Sequence, residues 1–337
     1  MELGFAYPIH LFGVGRLTQA ARFASELGYT SLWTGETRGP EIFSCLAIAG
    51  TAAPRLSLGN GVIALQLRGP LLTAMSAGTL QAVHPDAEVF LGIGVSGRAV
   101  VETWHGEKFT DRPVAQTREL VEVLQLCFAG EPFSFAGDFY NLPRSRMSIQ
   151  LPQRKPKIVI GALNQRMLRL AGEVADGVLL NTLPARAIGW AVDQVRDGER
   201  RGHRPTGSCR IHALLRLGLG DRDRQLPAGR QSLFNYCTVD GYARAFARAG
   251  FGPEVEAALE AHRAGNRTEA LAAISDAMVD SIEIVGDERR IADALRAYLD
   301  AGVESPVVIP LLDEEHPVES FEATLGVLSG TPALEAR

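Results

Sequence analysis

The sequence predicts an α/β protein built as a closed (β/α)8 TIM barrel, with a helical insertion between strands seven and eight. Three features point there. Short apolar runs alternate with helical segments along the chain, as repeated βα units do. The runs are continuously apolar rather than alternating, the mark of parallel strands covered on both faces. Eight such runs spread over 337 residues favour the closed barrel over an open doubly wound sheet. No GxGxxG follows the first strand, which counts against a dinucleotide-binding sheet.

The elements follow in order. "LGFAY" (3–7) is the first strand, and the helix after it sets Leu17, Ala20, Ala21, Ala24 and Leu27 on one face before Gly28 ends it. "TSLWT" (30–34) is the second strand, followed by a small-residue helix over 41–52. "RLSLGNGVIAL" (55–65) is the third; its internal glycines predict a bulge, a close approach by a ligand or a simple packing accommodation. A helix over 70–83 leads to "AEVFLGIG" (87–94), and a helix over 111–129 groups Val114, Val121, Leu124 and Phe128. "EPFSFAGDFYNL" (131–142) reads as a hairpin turning at Gly137-Asp138. "KPKIVIGA" (155–162) and "ADGVLLN" (175–181) are strands five and six, "CRIHALLRLGL" (209–219) the seventh and "SPVVIPL" (305–311) the eighth. The helix-rich stretch 222–285 would cap the mouth of a single domain spanning 1–337. A last helix, 317–329, ends in a loose tail.

A hydrophobic content of 46% supports a sizeable core, and a net charge of −5 argues against a nucleic-acid partner. No apolar run is long enough to span a membrane, and the N-terminus lacks the pattern of a signal peptide. Cys45, Cys127, Cys209 and Cys237 are far apart with no CxxC pair, which suits reduced structural thiols and a cytoplasmic location.

Residues just after barrel strands share one mouth. Here they are Tyr7 and His10; Glu36, Thr37 and Arg38; Gln66 and Arg68; Gly94, Val95 and Ser96; Gly161, Ala162, Leu163, Asn164 and Gln165; and Asn181 and Thr182. The set contains no carboxylate pair, no metal-ligand cluster and no nucleophile signature. It suits a planar, hydrogen-bonding cofactor that brings its own reactivity. "GIGVSG" (92–97) is either a loop exit or a place where backbone approaches a ligand. "GALNQRM" (161–167) is either an ordinary turn with Asn164 as N-cap or an anion site at a helix N-terminus. Among the histidines, His105, His203, His262 and His316 sit in polar surroundings and read as surface residues. His84 precedes Pro85 in a turn, and His10 alone reads as a mouth candidate.

The ordered set "ASELGYTSLWTGE", "RLSLGNGVIALQLRGPLLTAMSAGTLQ", "FLGIGVSG", "KIVIGALNQRMLRLAGEVADGVLLN" and "SIEIVGDERRIADALRAYLDAGVESPVVIP" resembles the bacterial luciferase-like superfamily. Within it, the sequence is similar to the coenzyme F420-dependent reductases and dehydrogenases of the methylene-tetrahydromethanopterin reductase type. The resemblance implies a deazaflavin in the mouth, a homodimer, and a non-prolyl cis peptide in strand three, for which Gly61–Val62 is the candidate. It places cofactor hydrogen bonds at Gly94, Val95 and Ser96, and cofactor phosphate at Gly161 through Gln165. Many relatives follow the acid at the end of strand two with histidine; here the pair is Glu36-Thr37. Glu36 and Thr37 are then the leading catalytic candidates, with Tyr7 and His10 as substitutes for the imidazole. FMN-dependent two-component monooxygenases and non-catalytic luciferase-like subunits share the same pattern and are the alternatives.

Overall fold

Strand β1 (Gly4–Ala6) pairs in parallel with β2 (Ser31–Thr34) on one edge and with β12 (Ser305–Pro310) on the other, which closes a ring. From β2 the ring continues through β3 (Ser57–Asn60), β5 (Val89–Gly94), β8 (Lys157–Gly161), β9 (Gly177–Asn181) and β10 (Arg210–Leu219) back to β12, every pairing parallel. The computed structural model describes residues 2–331. The loose tail expected at the C-terminus lies outside the described residues beyond 331.

Strand three differs from its single-run reading. β3 stops at Asn60, and a two-residue strand β4 (Ile63–Ala64) resumes against β5 after a cis Gly61–Val62 peptide. The pairing offset changes from 31 residues at Leu58↔Val89 to 30 at Ile63↔Ile93, so one residue is bulged out. The Asn60 side chain occupies the gap in the ladder. Its amide donates to the Gly92 carbonyl and its oxygen accepts from Gly92 N at 3.1 Å, while Gly61 N donates to the Thr34 carbonyl at 2.8 Å.

A hairpin of β6 (Phe133–Ala136) and β7 (Asn141–Ser145) stands outside the ring and runs three residues past its expected end. A strand that the sequence reading left inside the helical insertion also appears, β11 (Glu283–Gly286). β10 is ten residues long; its first half pairs with β9, and its second half, from Arg216, overruns β9 and pairs with β11. The extra strand satisfies backbone groups that the longer strand would otherwise leave unpaired.

Fourteen α-helices are described: α1 (Ile9–Phe12), α2 (Leu17–Glu26), α3 (Ile42–Ala52), α4 (Pro70–Val83), α5 (Pro113–Ala129), α6 (Gln165–Val174), α7 (Ala185–Arg201), α8 (Arg222–Cys237), α9 (Asp240–Phe246), α10 (Gly252–Arg263), α11 (Arg267–Ala272), α12 (Asp276–Ile282), α13 (Glu288–Asp300) and α14 (Pro317–Ser329). Three cores result. One fills the space between ring and outer helices. A second lies inside the ring, where Trp33 stacks on Phe90 with centroids 5.2 Å apart above Val159, Leu179, Leu214 and Val307. A third lies within the α8–α12 region, with Ala187 of α7 packed against it, and is built on Leu233, Phe234, Phe246, Phe251 and Met278. All four cysteines are free and buried, and no described helix is long and apolar enough to cross a membrane.

Candidate active site

The bulge shapes the floor of the mouth. The Val62 side chain projects toward Gly92, Gly94 and Gly161, and a Cβ on Gly94 would stand 2.6 Å from Val62 Cγ2. Glycine is required at 92 for a different reason, since a Cβ there would meet the Asn60 carbonyl oxygen at 1.9 Å. Gly94 and Gly161 thus make room for the Val62 side chain. Beside it, Ser96 and Thr182 adopt left-handed φ values of 62° and 53°, uncommon outside glycine and typical of functional strand ends.

Beyond β2, the chain is held by three contacts to other strand ends. Arg68 Nη2 donates to Glu36 at 2.9 and 3.2 Å and to Glu41 at 2.7 Å, with Glu36 and Arg68 both largely enclosed. Glu41 is itself the N-cap of α3, accepting from Ser44 N at 2.8 Å. Its carboxyl lies below the usual range: these hydrogen bonds and Arg68 overcome the opposing effect of burial. His105 Nε2 lies 2.5 Å from the Thr37 carbonyl oxygen, and the Arg38 guanidinium sits 4.3 Å above the Trp104 ring. Both arrive from a π-helical turn, Ala99–Trp104, that follows β5.

Tyr7 does not point an available hydroxyl into the mouth. It is buried, donates to the Gly13 carbonyl at 2.8 Å, and burial pushes its pKa up to about 12. His10 lies at the surface end of α1, its pKa lowered by partial enclosure and by the charge of Arg216. Arg216 was not among the expected site residues. It continues inward the alternation of His212 and Leu214 on β10 and forms an enclosed ion pair with Glu283 at 2.7 Å. Burial opposes its charge, but the Glu283 carboxylate outweighs it and holds the guanidinium above its ordinary value. Two insertion tyrosines join this wall. Tyr236 lies under Arg216, and Tyr242 accepts from Asn181 Nδ2 at 2.6 Å. Only the strand alternation signalled Arg216; the tyrosines carried no local signal.

The stretch after β8 opens α6. Asn164 occupies the N-cap position with extended backbone, but its side chain makes no capping bond. Ala162 N is used by the Leu179 carbonyl, and the Gln165 amide faces Gln194 on α7 at 3.1 Å. Arg248, stacked 3.9 Å over Trp190, donates to the Leu163 carbonyl at 3.3 Å. Enclosure and the neighbouring Arg244 lower its pKa. A helix N-terminus flanked by an arginine is an anion-binding arrangement.

Gln66, two residues beyond β4, is the most informative side chain at the mouth. Both its amide nitrogen and its amide oxygen are buried and have no partner among the described residues. Leaving such groups unpaired costs on the order of 1–3 kcal/mol each. The pair is complementary to a ligand edge carrying one donor and one acceptor. Among the described residues, no group of three or more His, Cys, Asp or Glu is placed to hold a metal ion.

Fold and mouth define a (β/α)8 barrel of the luciferase-like kind, with a bulged third strand facing a helix-capped mouth. Residues 1–305 match the luciferase-like monooxygenase family, and the chain belongs to it. It is 30% identical over 306 residues to a putative coenzyme F420-dependent oxidoreductase of Mycobacterium tuberculosis, covering 85% of this chain and 88% of that protein. Among solved structures, it resembles the coenzyme F420-dependent tetrahydromethanopterin reductase of Methanopyrus kandleri with a TM-score of 0.77, at 19% identity and 98% coverage of each chain. The FMN complex of the oxygenating constituent of 3,6-diketocamphane monooxygenase from Pseudomonas putida gives a TM-score of 0.71, at 16% identity, covering 99% of this chain and 98% of that one.

Proposed function

We propose that this protein is a coenzyme F420-dependent oxidoreductase acting on a small organic substrate: an imine, an enone or a secondary alcohol. The observation that carries the reading is the Gln66 amide, buried and unpartnered two residues beyond β4. A deazaflavin presents a pyrimidine edge of alternating N–H donors and carbonyl acceptors, which fits that amide. The residues present therefore suit the group: Val62 backs the ring, Gln66 reads its edge, and the first turn of α6 with Arg248 receives its phosphate. Backbone near Gly94, Val95 and Ser96 borders the ring, and Gly161 through Gln165 lead to the phosphate. When bound, the deazaflavin supplies hydride transfer at C5. The chain positions the substrate against that carbon, keeps water out beneath α8–α12, and moves one proton. The α8–α12 insertion, with its separate core, sets the substrate preference.

FMN has the same pyrimidine edge, and the diketocamphane relative carries FMN. A two-component flavin monooxygenase is therefore the second reading. We assign the chain as a homodimer through α3 and α4, which contain no charged residue and expose Ile48, Leu72, Met75 and Val83. Anaerobic mixing of reduced F420 with a panel of imines, enones and ketones tests the activity. Return of the oxidised cofactor's absorbance in the presence of one substrate class supports it. Gln66→Leu should weaken cofactor binding roughly tenfold or more, given the cost of an unmade pair of hydrogen bonds. Unchanged binding would remove Gln66 from the site.

A further inference from the structure

We propose that His105 is the proton-transferring residue of the mouth, delivered from the loop after β5 to the place where Thr37 stands. This rests on the oxidoreductase reading above. A carbonyl oxygen can only accept, so the 2.5 Å contact to Thr37 O fixes the proton on His105 Nε2. Nδ1 is then the lone-pair nitrogen, and no described residue hydrogen-bonds to it. A carbonyl that fixes the tautomer of an imidazole and leaves the other nitrogen open is how histidine bases are oriented.

The contact is supported by a second staple between the same two loops, Arg38 over Trp104. In the ring, β2 and β5 are separated by β3, so a contact between the segments that follow them spans the end of the bulged strand. Several other titratable groups at the strand ends are engaged elsewhere; His10, on α1 after β1 and within the field of Arg216, is not among them. Glu36 is held by Arg68, Tyr7 by the Gly13 carbonyl, Glu283 by Arg216 and Tyr242 by Asn181. The charged groups around the imidazole are Arg38 and Glu36 on the loop it touches, Arg68 and Glu41 behind them, and Arg98, Glu102, Glu107 and Lys108 on its own segment. With a deazaflavin bound as the hydride acceptor, His105 Nδ1 would take the proton of the substrate hydroxyl as hydride leaves the carbinol carbon. The O–H pair becomes the carbonyl π bond, and reduction returns the same proton.

The test uses full-length protein labelled with 15N-histidine, titrated with oxidised F420. The expected spectrum shows His105 as the Nε2–H tautomer, with its Nδ1 resonance shifting as the cofactor saturates. An Nδ1–H tautomer, or an Nδ1 resonance unmoved at saturation, overturns the proposal. His105→Gln keeps an N–H for Thr37 O and loses the titratable lone pair. It should bind F420 within about twofold of wild type yet lose roughly 10²–10⁴-fold in kcat/KM, together with the limb of the pH profile that imidazole gives. Added imidazole should restore part of the rate to His105→Gly. A His105→Gln enzyme with a wild-type pH profile also overturns the proposal. If wild-type protein binds no F420, the cofactor reading fails instead, and FMN takes the same place in both assays.

Discussion

Arg68 Nη2 donates to both carboxylate oxygens of Glu36, at 2.9 and 3.2 Å, and to Glu41 at 2.7 Å. One guanidinium nitrogen thereby ties the segment after β4 to the end of β2 and to the cap of α3. Glu36, the acid that the sequence singled out for catalysis, is held in an enclosed ion pair with Arg68. Arg68→Met leaves two carboxylates facing each other without their shared cation. The expected loss is about 1–3 kcal/mol, read as a lower urea midpoint with an unchanged slope. Glu36→Gln combined with Arg68→Met should cost less than the sum of the two single changes.

The Val62 niche gives a sharper prediction. Gly94→Ala puts a methyl 2.6 Å from Val62 Cγ2, and the β-branched Val62 has few rotamers in which to retreat. The substitution should destabilise by about 1–3 kcal/mol, as overpacking does. Adding Val62→Ala should return part of that loss, with a coupling of roughly 0.5–3 kcal/mol in a double-mutant cycle. Additive effects would mean that the two side chains do not meet.

These residues also show what the sequence could and could not reveal. Strand positions, helix positions and the bulge were legible because apolar runs, helical faces and internal glycines are local patterns. The resemblance also named Gly61–Val62 as the cis peptide, and that bond is cis. What stayed hidden is the Asn60 side chain bonding to Gly92, 32 residues away, and the strand Glu283–Gly286, four residues headed by a buried acid whose partner, Arg216, lies on β10. His105 reads as a polar surface residue and is exposed, but its bond to Thr37 crosses 68 positions of sequence. The glycines of "GIGVSG" were read as a loop exit or a ligand approach; in the structure Val62 packs against two of them, Gly92 and Gly94.

Buried His212 predicts a pH dependence of stability. It lies against Trp33 and Phe90 inside the ring, and its Nδ1 has no partner among the described residues. Burial, then Arg210, lowers its pKa to about 3. The unfolded chain therefore binds a proton between roughly pH 6.5 and 3 that the folded protein does not. Stability is full above about pH 6.5 and falls by up to about 1.4 kcal/mol per unit as the pH drops through that window. Urea midpoints at pH 7 and pH 5 check this, and His212→Leu should narrow the difference between them.

The uncharged outer faces of α3 and α4 predict the assembly. Sedimentation of the wild-type protein should give a dimer, and Leu72→Glu with Met75→Glu should give a folded monomer with unchanged far-UV circular dichroism. A wild-type monomer at micromolar concentration would contradict the assignment.

The cofactor is the claim on which the rest depends, and a binding titration tests it most directly. Purified protein titrated in parallel with oxidised F420 and with FMN should saturate with F420 at one per chain and bind FMN far more weakly. Tight FMN binding with none for F420 would contradict the deazaflavin reading and leave the flavin monooxygenase in its place.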